Sequence, residues 1–152
     1  IIISSDKDFL QLVDKKVTVY RPMERKFYQR KNIEEKFKVL PENFILYKTL
    51  LGDASDKIQG IKGLGEKGIF KKFPELTERP LTIDDIYDIS EAKLKDHVVY
   101  ARIIQDFDRL EKNYKLMNLI SSIAASYSVN NLTNKKYYNK KLLLRHLNYM
   151  LS

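Results

Sequence analysis

The sequence contains no cysteine, which excludes disulfide bonds and thiolate metal sites and favours a cytoplasmic location. It also lacks any run of about 18 uncharged apolar residues, so no membrane span is expected. Its two histidines, His97 and His146, each stand alone, which favours packing or surface roles over metal ligation. Any metal site is therefore expected to use oxygen ligands.

An initiator methionine and a signal peptide are also absent, and the sequence opens directly on three isoleucines. This opening predicts a piece of a longer protein, or one part of a larger assembly. The 152 residues correspond to about one domain, and 43% of them are hydrophobic. That content is sufficient to form a core.

The charge of the chain is strongly basic and unevenly distributed. The net charge is +8 and the pI about 9.5, which favours a polyanionic partner, nucleic acid first and an acidic membrane surface second. Residues 15–38 carry a net charge of +6, residues 134–148 have five basic and no acidic side chains, and residues 75–96 carry −4. This clustering favours binding surfaces over a solvated face with scattered lysines.

The first half of the sequence has the pattern of an α/β edge. Residues 1–3 predict a buried strand, and residues 9–13 open a helix or pack beneath the strand. Residues 17–20 and 26–30 predict a hairpin with its turn at 21–24. Asn32 is expected to cap a short helix that ends near Lys38. Pro41 and Gly52 are expected to begin and end the next helix.

The second half is predicted to be mostly helical. A short helix over residues 56–59, a turn over 60–65 and a helix over 66–73 are expected. Thr82 is expected to cap a short helix, and Ser90 a long one that continues to about Leu110. Residues 113–120 fit either strand or helix, and residues 121–134 are expected to be loop in part. Asn134 is expected to cap a last amphipathic helix with Tyr138, Leu142, Leu143, Leu147 and Met150 on its apolar face. The predicted domains are residues 1–40, 41–75 and 76–152.

Asp6 and Asp8 follow the first predicted strand, two residues apart. In an extended backbone these positions share a face, so both carboxylates can point to one place. Two adjacent carboxylates disfavour joint ionisation unless a cation neutralises them, and oxygen ligands suit Mg²⁺ or Mn²⁺. A turn in which the aspartates cap a helix is the simpler structural interpretation.

Asp53 and Asp56 form a second pair, spaced so that they share one side of a helical turn. Capping of a short helix explains one of them but not both. With Asp6 and Asp8 they make four candidate catalytic carboxylates for a two-metal phosphodiesterase site. In such sites the two ions lie about 3.5–4 Å apart.

The most specific segment is residues 58–67, within the stretch GDASDKIQGIKGLGEKG of residues 52–68. Glycines let a backbone approach phosphate closely, and nearby lysines supply charge. The candidate DNA-binding residues are Gly60, Lys62, Gly63, Gly65, Lys67, Lys71 and Lys72. A plain helix–turn–helix, with glycines serving turn geometry only, is the alternative.

These motifs resemble the 5′-nuclease superfamily of flap endonucleases and 5′→3′ exonucleases. The pattern S-x-D-x-D-F-x-Q-L matches residues 4–12 with one serine shifted, and G-D-x-x-D-x-I-x-G-I-x-G-[IL]-G-x-K matches residues 52–67. The second pattern is that family's helix–three-turn–helix. Residues 19–23 and 113–116 look most like the T-even phage ribonuclease H branch.

The resemblance implies the C-terminal part of a PIN-like 5′-nuclease fold that removes 5′ ends, flaps and RNA primers with Mg²⁺. It implies duplex DNA with a 5′ flap, nick or primer as substrate, in a bacterial or phage-infected cell. K⁺ at the hairpin turn is a candidate cofactor, and a single-stranded-DNA-binding protein is a candidate partner. The family's N-terminal half, with further acidic ligands and a helical arch, is expected in the same or another chain.

Two other functions remain open at this point. The chain fits a non-catalytic duplex-DNA-binding module that uses the glycine hairpin and the basic patches. It fits less well a single-strand ribonuclease of the related metal-nuclease fold, which does not need the glycine hairpin.

Overall fold

The computed structural model describes residues 1–120. Residues 1–117 form one compact unit, and residues 118–152 are assigned to a second. The predicted last helix with its cap Asn134, the loop over 121–134, His146 and the basic block 134–148 lie outside the described residues. The predicted domain boundaries at residues 40 and 75 both lie inside the first unit, and the division into domains there stays a prediction.

A three-stranded sheet opens the chain, in the order β1, β2, β3. Strand β1 (Ile2–Ile3) pairs in parallel with β2 (Val19–Arg21), and β2 pairs antiparallel with β3 (Lys26–Tyr28). The predicted hairpin and its turn are confirmed, since Pro22–Glu24 forms a 3-10 turn between β2 and β3. The expectation of a buried first strand is only half right, because Ile2 is buried and Ile3 is 67% exposed.

Helix α1 (Arg30–Phe37) begins three residues earlier than predicted. Gln29 is the N-cap, and the expected cap Asn32 is instead the third helical residue. Its side chain accepts a hydrogen bond from the Gln29 amide at 2.9 Å. Asn32 therefore serves the same helix start from inside the helix, as the distal member of a capping box.

Helix α2 (Phe44–Leu51) forms the centre of the unit. A 3-10 turn, Pro41–Asn43, leads into it, and Gly52 ends it in a left-handed conformation with φ of 83°, as the sequence predicts. Seven of its eight residues are buried, including the polar Lys48 and Thr49. Such all-round burial is typical of a helix surrounded by other elements. The segments that pack against it are the 3-10 helix Lys7–Leu12 and the later helices α3 (Glu66–Lys72) and α7 (Phe107–Met117).

A two-stranded hairpin follows α2, where the sequence predicts a short helix over 56–59. Strands β4 (Gly52–Asp53) and β5 (Ile58–Gln59) pair antiparallel. The helix prediction is wrong for a local reason. Asp53 accepts hydrogen bonds from the backbone amide and hydroxyl of Ser55, and Lys57 adopts a left-handed φ of 57°. This side-chain-stabilised turn competes with helix formation.

The remainder of the unit is helical, as predicted, with α3 (Glu66–Lys72), α4 (Glu75–Glu78), α5 (Ile83–Ala92), α6 (Val98–Gln105) and α7 (Phe107–Met117). Thr82 caps α5 as expected, through a reciprocal bond with Asp85. The predicted cap at Ser90 is wrong. Its hydroxyl is buried inside α5 and donates to the Ile86 carbonyl. The long helix expected to start at Ser90 is instead divided among the end of α5, α6 and the start of α7. None of the helices within residues 1–120 is long and apolar enough to cross a membrane.

All five glycines of the sequence lie in residues 52–68, and two of them are required by close packing. A Cβ on Gly60 would lie 2.2 Å from the Leu51 carbonyl oxygen, and one on Gly52 would lie 2.3 Å from the Gly60 amide nitrogen. A Cβ on Gly65 would meet nothing within 4 Å. The base of the hairpin therefore needs glycine for packing, whereas the fold leaves position 65 open.

We expect Gly60→Ala to destabilise the protein, because the new methyl group collides with backbone that cannot rotate away. The expected loss is about 2 kcal/mol or more in the free energy of unfolding, measured by chemical denaturation. Gly65→Ala is the matched control and is expected to change that free energy by less than about 0.5 kcal/mol. Equal stability of the two variants would contradict this account of the hairpin.

Candidate functional site

Lys48 brings two of the four candidate carboxylates together. Its ammonium donates to Asp8 Oδ1, and it also donates to Asp53 Oδ2 at 2.8 Å. Lys48 is 7% exposed, whereas the Asp8 and Asp53 side chains retain 18% and 19% exposure. The two motifs, 45 positions apart in sequence, thus meet around one positive charge at a partly solvent-exposed site.

The local structure at Asp6 and Asp8 differs from the expected extended pair. Asp6 is the N-cap of a 3-10 helix, Lys7–Leu12, and its side chain accepts a hydrogen bond from the Asp8 amide at 2.8 Å. Asp8 lies in the first turn of that helix and faces Lys48. The simpler interpretation, a turn with a capping aspartate, therefore holds for Asp6, whereas the Asp8 carboxylate contacts Lys48 at the candidate site.

Asp53 is held by two kinds of partner. The Lys48 ammonium, followed by the Ser55 hydroxyl, holds the pKa of the Asp53 carboxyl well below its usual range. This carboxyl is consequently ionised at any physiological pH. Asp56 lies in the exposed turn of the β4–β5 hairpin. The helical turn expected to align it with Asp53 is absent, and the structure does not bring it to Lys48.

No three acidic or histidine side chains among residues 1–120 come close enough together to hold a metal ion. Residues 121–152 contain no aspartate or glutamate at all. The assignment of all four aspartates as metal ligands stays a prediction.

Arg21 is a functional candidate that the sequence reasoning missed. It is 6% exposed, and its guanidinium donates to the Ser5 carbonyl at 2.6 Å, one residue before Asp6. The same side chain pairs with Glu24. Arg21 therefore fixes the loop that leads from β1 to Asp6 and Asp8. Neither Arg21 nor Lys48 has a local sequence signal, because their contacts with Ser5 and Asp8 span 16 and 40 positions.

The glycine turn over residues 60–65 connects the β4–β5 hairpin to α3. Ile61 and Leu64 are buried and anchor it, and the Ile61 amide donates to the Leu50 carbonyl at 2.9 Å. Gly63 adopts a left-handed φ of 81°. The four candidate lysines differ in their surroundings, as Lys62, Lys67 and Lys71 are exposed and Lys72 lies over the Tyr100 ring.

The chain is similar to known nucleases. The 5′-3′ exonuclease of Aquifex aeolicus is 32% identical over 143 residues, which cover 89% of this chain and 44% of that protein. The 5′-3′ exonuclease of Buchnera aphidicola is 26% identical over 155 residues, covering the whole chain and 54% of that protein. The solved T5 5′-exonuclease with zinc bound superposes with a TM-score of 0.69 and 25% identity, over 83% of this chain and 45% of that one. No protein-family model matches.

The chain belongs to the 5′-nuclease superfamily. It spans about half the length of the curated 5′-3′ exonucleases it matches. The predicted fold class, an α/β edge followed by a mostly helical region, is confirmed by the likeness to the T5 5′-exonuclease. The narrower resemblance to the T-even phage branch is not confirmed, since these relatives are bacterial and the structural neighbour comes from T5.

We expect Lys48→Met to raise the pKa of Asp53 toward the ordinary range of an aspartate, because its main stabilising partner is lost. Stability at neutral pH is expected to fall by about 2 kcal/mol or more, because the charge-assisted contacts to both Asp8 and Asp53 are lost. An Asp with a lowered folded pKa contributes stability above its unfolded pKa, and this is lost as the pH falls through the folded pKa. The difference in free energy of unfolding between the variant and the wild type should therefore become smaller below about pH 4.

Carboxyl NMR titration and denaturation at several pH values would measure both effects. Lys71→Met, which removes an exposed lysine from α3, is the control and is expected to leave the Asp53 pKa unchanged. An Asp53 pKa that is the same with and without Lys48 would show that the ion pair is not its cause.

Proposed function

We propose that this chain holds duplex DNA and supplies part of the metal site in a metal-dependent, structure-selective 5′-nuclease. The observation that carries the proposal is the meeting of Asp8 and Asp53 on one cation, Lys48, beside the glycine hairpin. The 5′-3′ exonuclease activity named for the bacterial relatives supports the reaction class, phosphodiester hydrolysis at 5′ ends.

The donor set fits a divalent cation. Asp8 and Asp53 already hold an ammonium between them, so the place favours positive charge, and carboxylate oxygens are the ligands that Mg²⁺ and Mn²⁺ prefer. Divalent zinc is bound in the T5 5′-exonuclease, which supports divalent ions here. Asp6 and Asp56 are the proposed further ligands. A bound divalent ion would activate water and stabilise the leaving oxygen. Lys48 would then compete for the same two carboxylates.

We infer that further carboxylates come from the part of the nuclease fold that the relatives possess and this chain does not span. One face of the sheet is suited to receive it. Ile3, Tyr20 and Phe27 are neighbours across the three strands, and Ile3 and Phe27 are 67% and 52% exposed. The β1–β2 pair is parallel, and parallel strands normally lie in sheets that are covered on both faces.

The glycine turn and the exposed lysines Lys62, Lys67 and Lys71 are proposed to bind the duplex backbone, together with Gly60, Gly63, Gly65 and Lys72. The open space at Gly65 supports close approach of a phosphate. Backbone contacts of this kind are independent of base sequence and sensitive to salt. The proposed substrates are duplexes with a 5′ flap, a nick or an RNA primer.

Several finer assignments form part of the same proposal. They are Mg²⁺ as the working metal, K⁺ at the turn, a single-stranded-DNA-binding protein as partner, and the bacterial or phage-infected cytoplasm as location. A non-catalytic duplex-binding module is the second candidate function. The incomplete grouping of carboxylates among residues 1–120 favours it for the chain by itself.

We expect Asp53→Asn combined with Asp56→Asn to abolish cleavage in the complete nuclease and to spare DNA binding. Carboxamides keep the size of the side chains but remove the negative charge that a metal requires. The measurement uses a labelled flap-and-nick duplex in Mg²⁺ and in EDTA, with cleavage and gel retardation recorded together.

Asp84→Asn combined with Asp88→Asn is the matched control, since it removes two exposed carboxylates from α5. This control is expected to cut at the wild-type rate. Cleavage that persists in the Asp53 and Asp56 double variant would remove these residues from the metal site. Loss of cleavage and binding together in that variant would indicate a structural role instead.

A further inference from the structure

The carbonyl oxygens of the glycine turn are held by side chains from α6 and α7. Arg102 Nη1 donates to the Lys62 carbonyl at 2.8 Å, and Asn113 Nδ2 donates to the Gln59 carbonyl at 3.0 Å. Arg109 donates to the Gln59 carbonyl as well, and both of its terminal nitrogens lie 3.4 Å from the Gly60 carbonyl. We call Arg102, Arg109 and Asn113 the carbonyl clamp.

We propose that the carbonyl clamp positions the glycine turn for DNA: its side chains draw the carbonyl oxygens of Gln59, Gly60 and Lys62 toward α6 and α7. The inference rests on the proposed function, since it assigns positioning residues to the turn that would meet the phosphates. Its physical basis is that a carbonyl facing a phosphate repels it, whereas carbonyls held on the far side leave the near side to donors.

The clamp adds restraint on the side of the turn that faces α6 and α7. Besides the buried side chains of Ile61 and Leu64, the turn is joined to the core by the bond from the Ile61 amide to the Leu50 carbonyl. Hydrogen bonds from a guanidinium to a carbonyl are charge-assisted and stronger than neutral ones. The clamp residues lie 40 to 54 positions away in sequence, so they tie the turn to another part of the unit.

Arg109 is better suited to positioning than to direct contact with phosphate. Its Nη2 forms an ion pair at 2.7 Å with Oδ2 of Asp106, the residue between α6 and α7, so its charge is already balanced. Its two terminal nitrogens are directed at Asp106, Gln59 and Gly60. This fork geometry requires arginine, because a single ammonium lacks the planar set of donors.

Arg102 also lies close to the backbone at position 63. A Cβ on Gly63 would lie 2.9 Å from Arg102 Nη1, so the guanidinium packs directly against the turn backbone. The left-handed φ of 81° is what favours glycine there, because the end of a flexible arginine side chain can shift to admit a methyl group.

The test compares Arg102→Ala, Arg109→Ala and Arg109→Lys with Lys112→Ala in the full 152-residue chain. Lys112 is exposed on α7, so its variant removes the same charge without touching the turn. The first readout is hydrogen exchange of the Ile61 and Leu64 amides without DNA, with the Phe73 amide at the end of α3 as internal reference. The second readout is affinity for a blunt duplex.

We expect both alanine variants to speed exchange at Ile61 and Leu64 by about tenfold and to weaken duplex binding by about tenfold, as for one lost charge-assisted bond. The exchange rate at Phe73 should stay within about twofold of the wild type in every variant. The exchange rates and the duplex affinity of Lys112→Ala should also stay within about twofold of the wild type. Arg109→Lys should resemble Arg109→Ala, because it keeps the charge and loses the fork.

Three results would overturn the inference. The first is unchanged exchange at Ile61 and Leu64, the second is wild-type affinity in Arg109→Lys, and the third is an equal loss of affinity in Lys112→Ala. Lys67→Ala, which removes a lysine proposed to contact the duplex backbone, is the reference for the affinity lost with one direct contact. If the wild-type chain does not bind the duplex, the proposed function fails, while the exchange measurement still decides whether the clamp holds the turn.

Discussion

The contact of the Lys48 ammonium with Asp8 and Asp53 is the interaction on which the candidate site depends. Lys48 extends from a helix that is buried on nearly every side, so its charge must be compensated within reach. Asp8 comes from the loop after β1, and Asp53 from the hairpin after α2. One buried cation therefore fixes the relative placement of two acidic motifs and keeps the Asp53 carboxyl ionised.

The β4–β5 hairpin links this acidic place to the glycine turn. Gly52 and Gly60 contact each other at its base, so Asp53 and the turn belong to one tightly packed backbone unit. Carboxylates repel phosphate, whereas glycines and lysines favour its approach, and a short rigid connection lets both stay close without competing for one position. Within a 5′-nuclease, that connection would set the distance between the duplex backbone and the metal site.

Sequence patterns predicted the elements whose signals are local. The hairpin of β2 and β3, the end of α2 at Gly52 and the cap of α5 at Thr82 depend on neighbouring residues. The prediction of a helix over 56–59 is wrong because Asp53 stabilises a turn there. The prediction of a cap at Ser90 is wrong because its buried hydroxyl donates to a carbonyl inside α5. Lys48 and Arg109 were not predictable, since a lone basic residue in a helical pattern is usually solvated.

A titration with Mn²⁺, followed by line broadening of assigned amide signals, tests the central claim most directly. The account predicts that the Asp8 and Asp53 signals broaden first, that EDTA restores them, and that the exposed acidic side of α5 at Asp84 and Asp88 follows only at higher concentration. Broadening that begins on α5, or that is uniform along the chain, would contradict the assignment of Asp8 and Asp53 to a metal site.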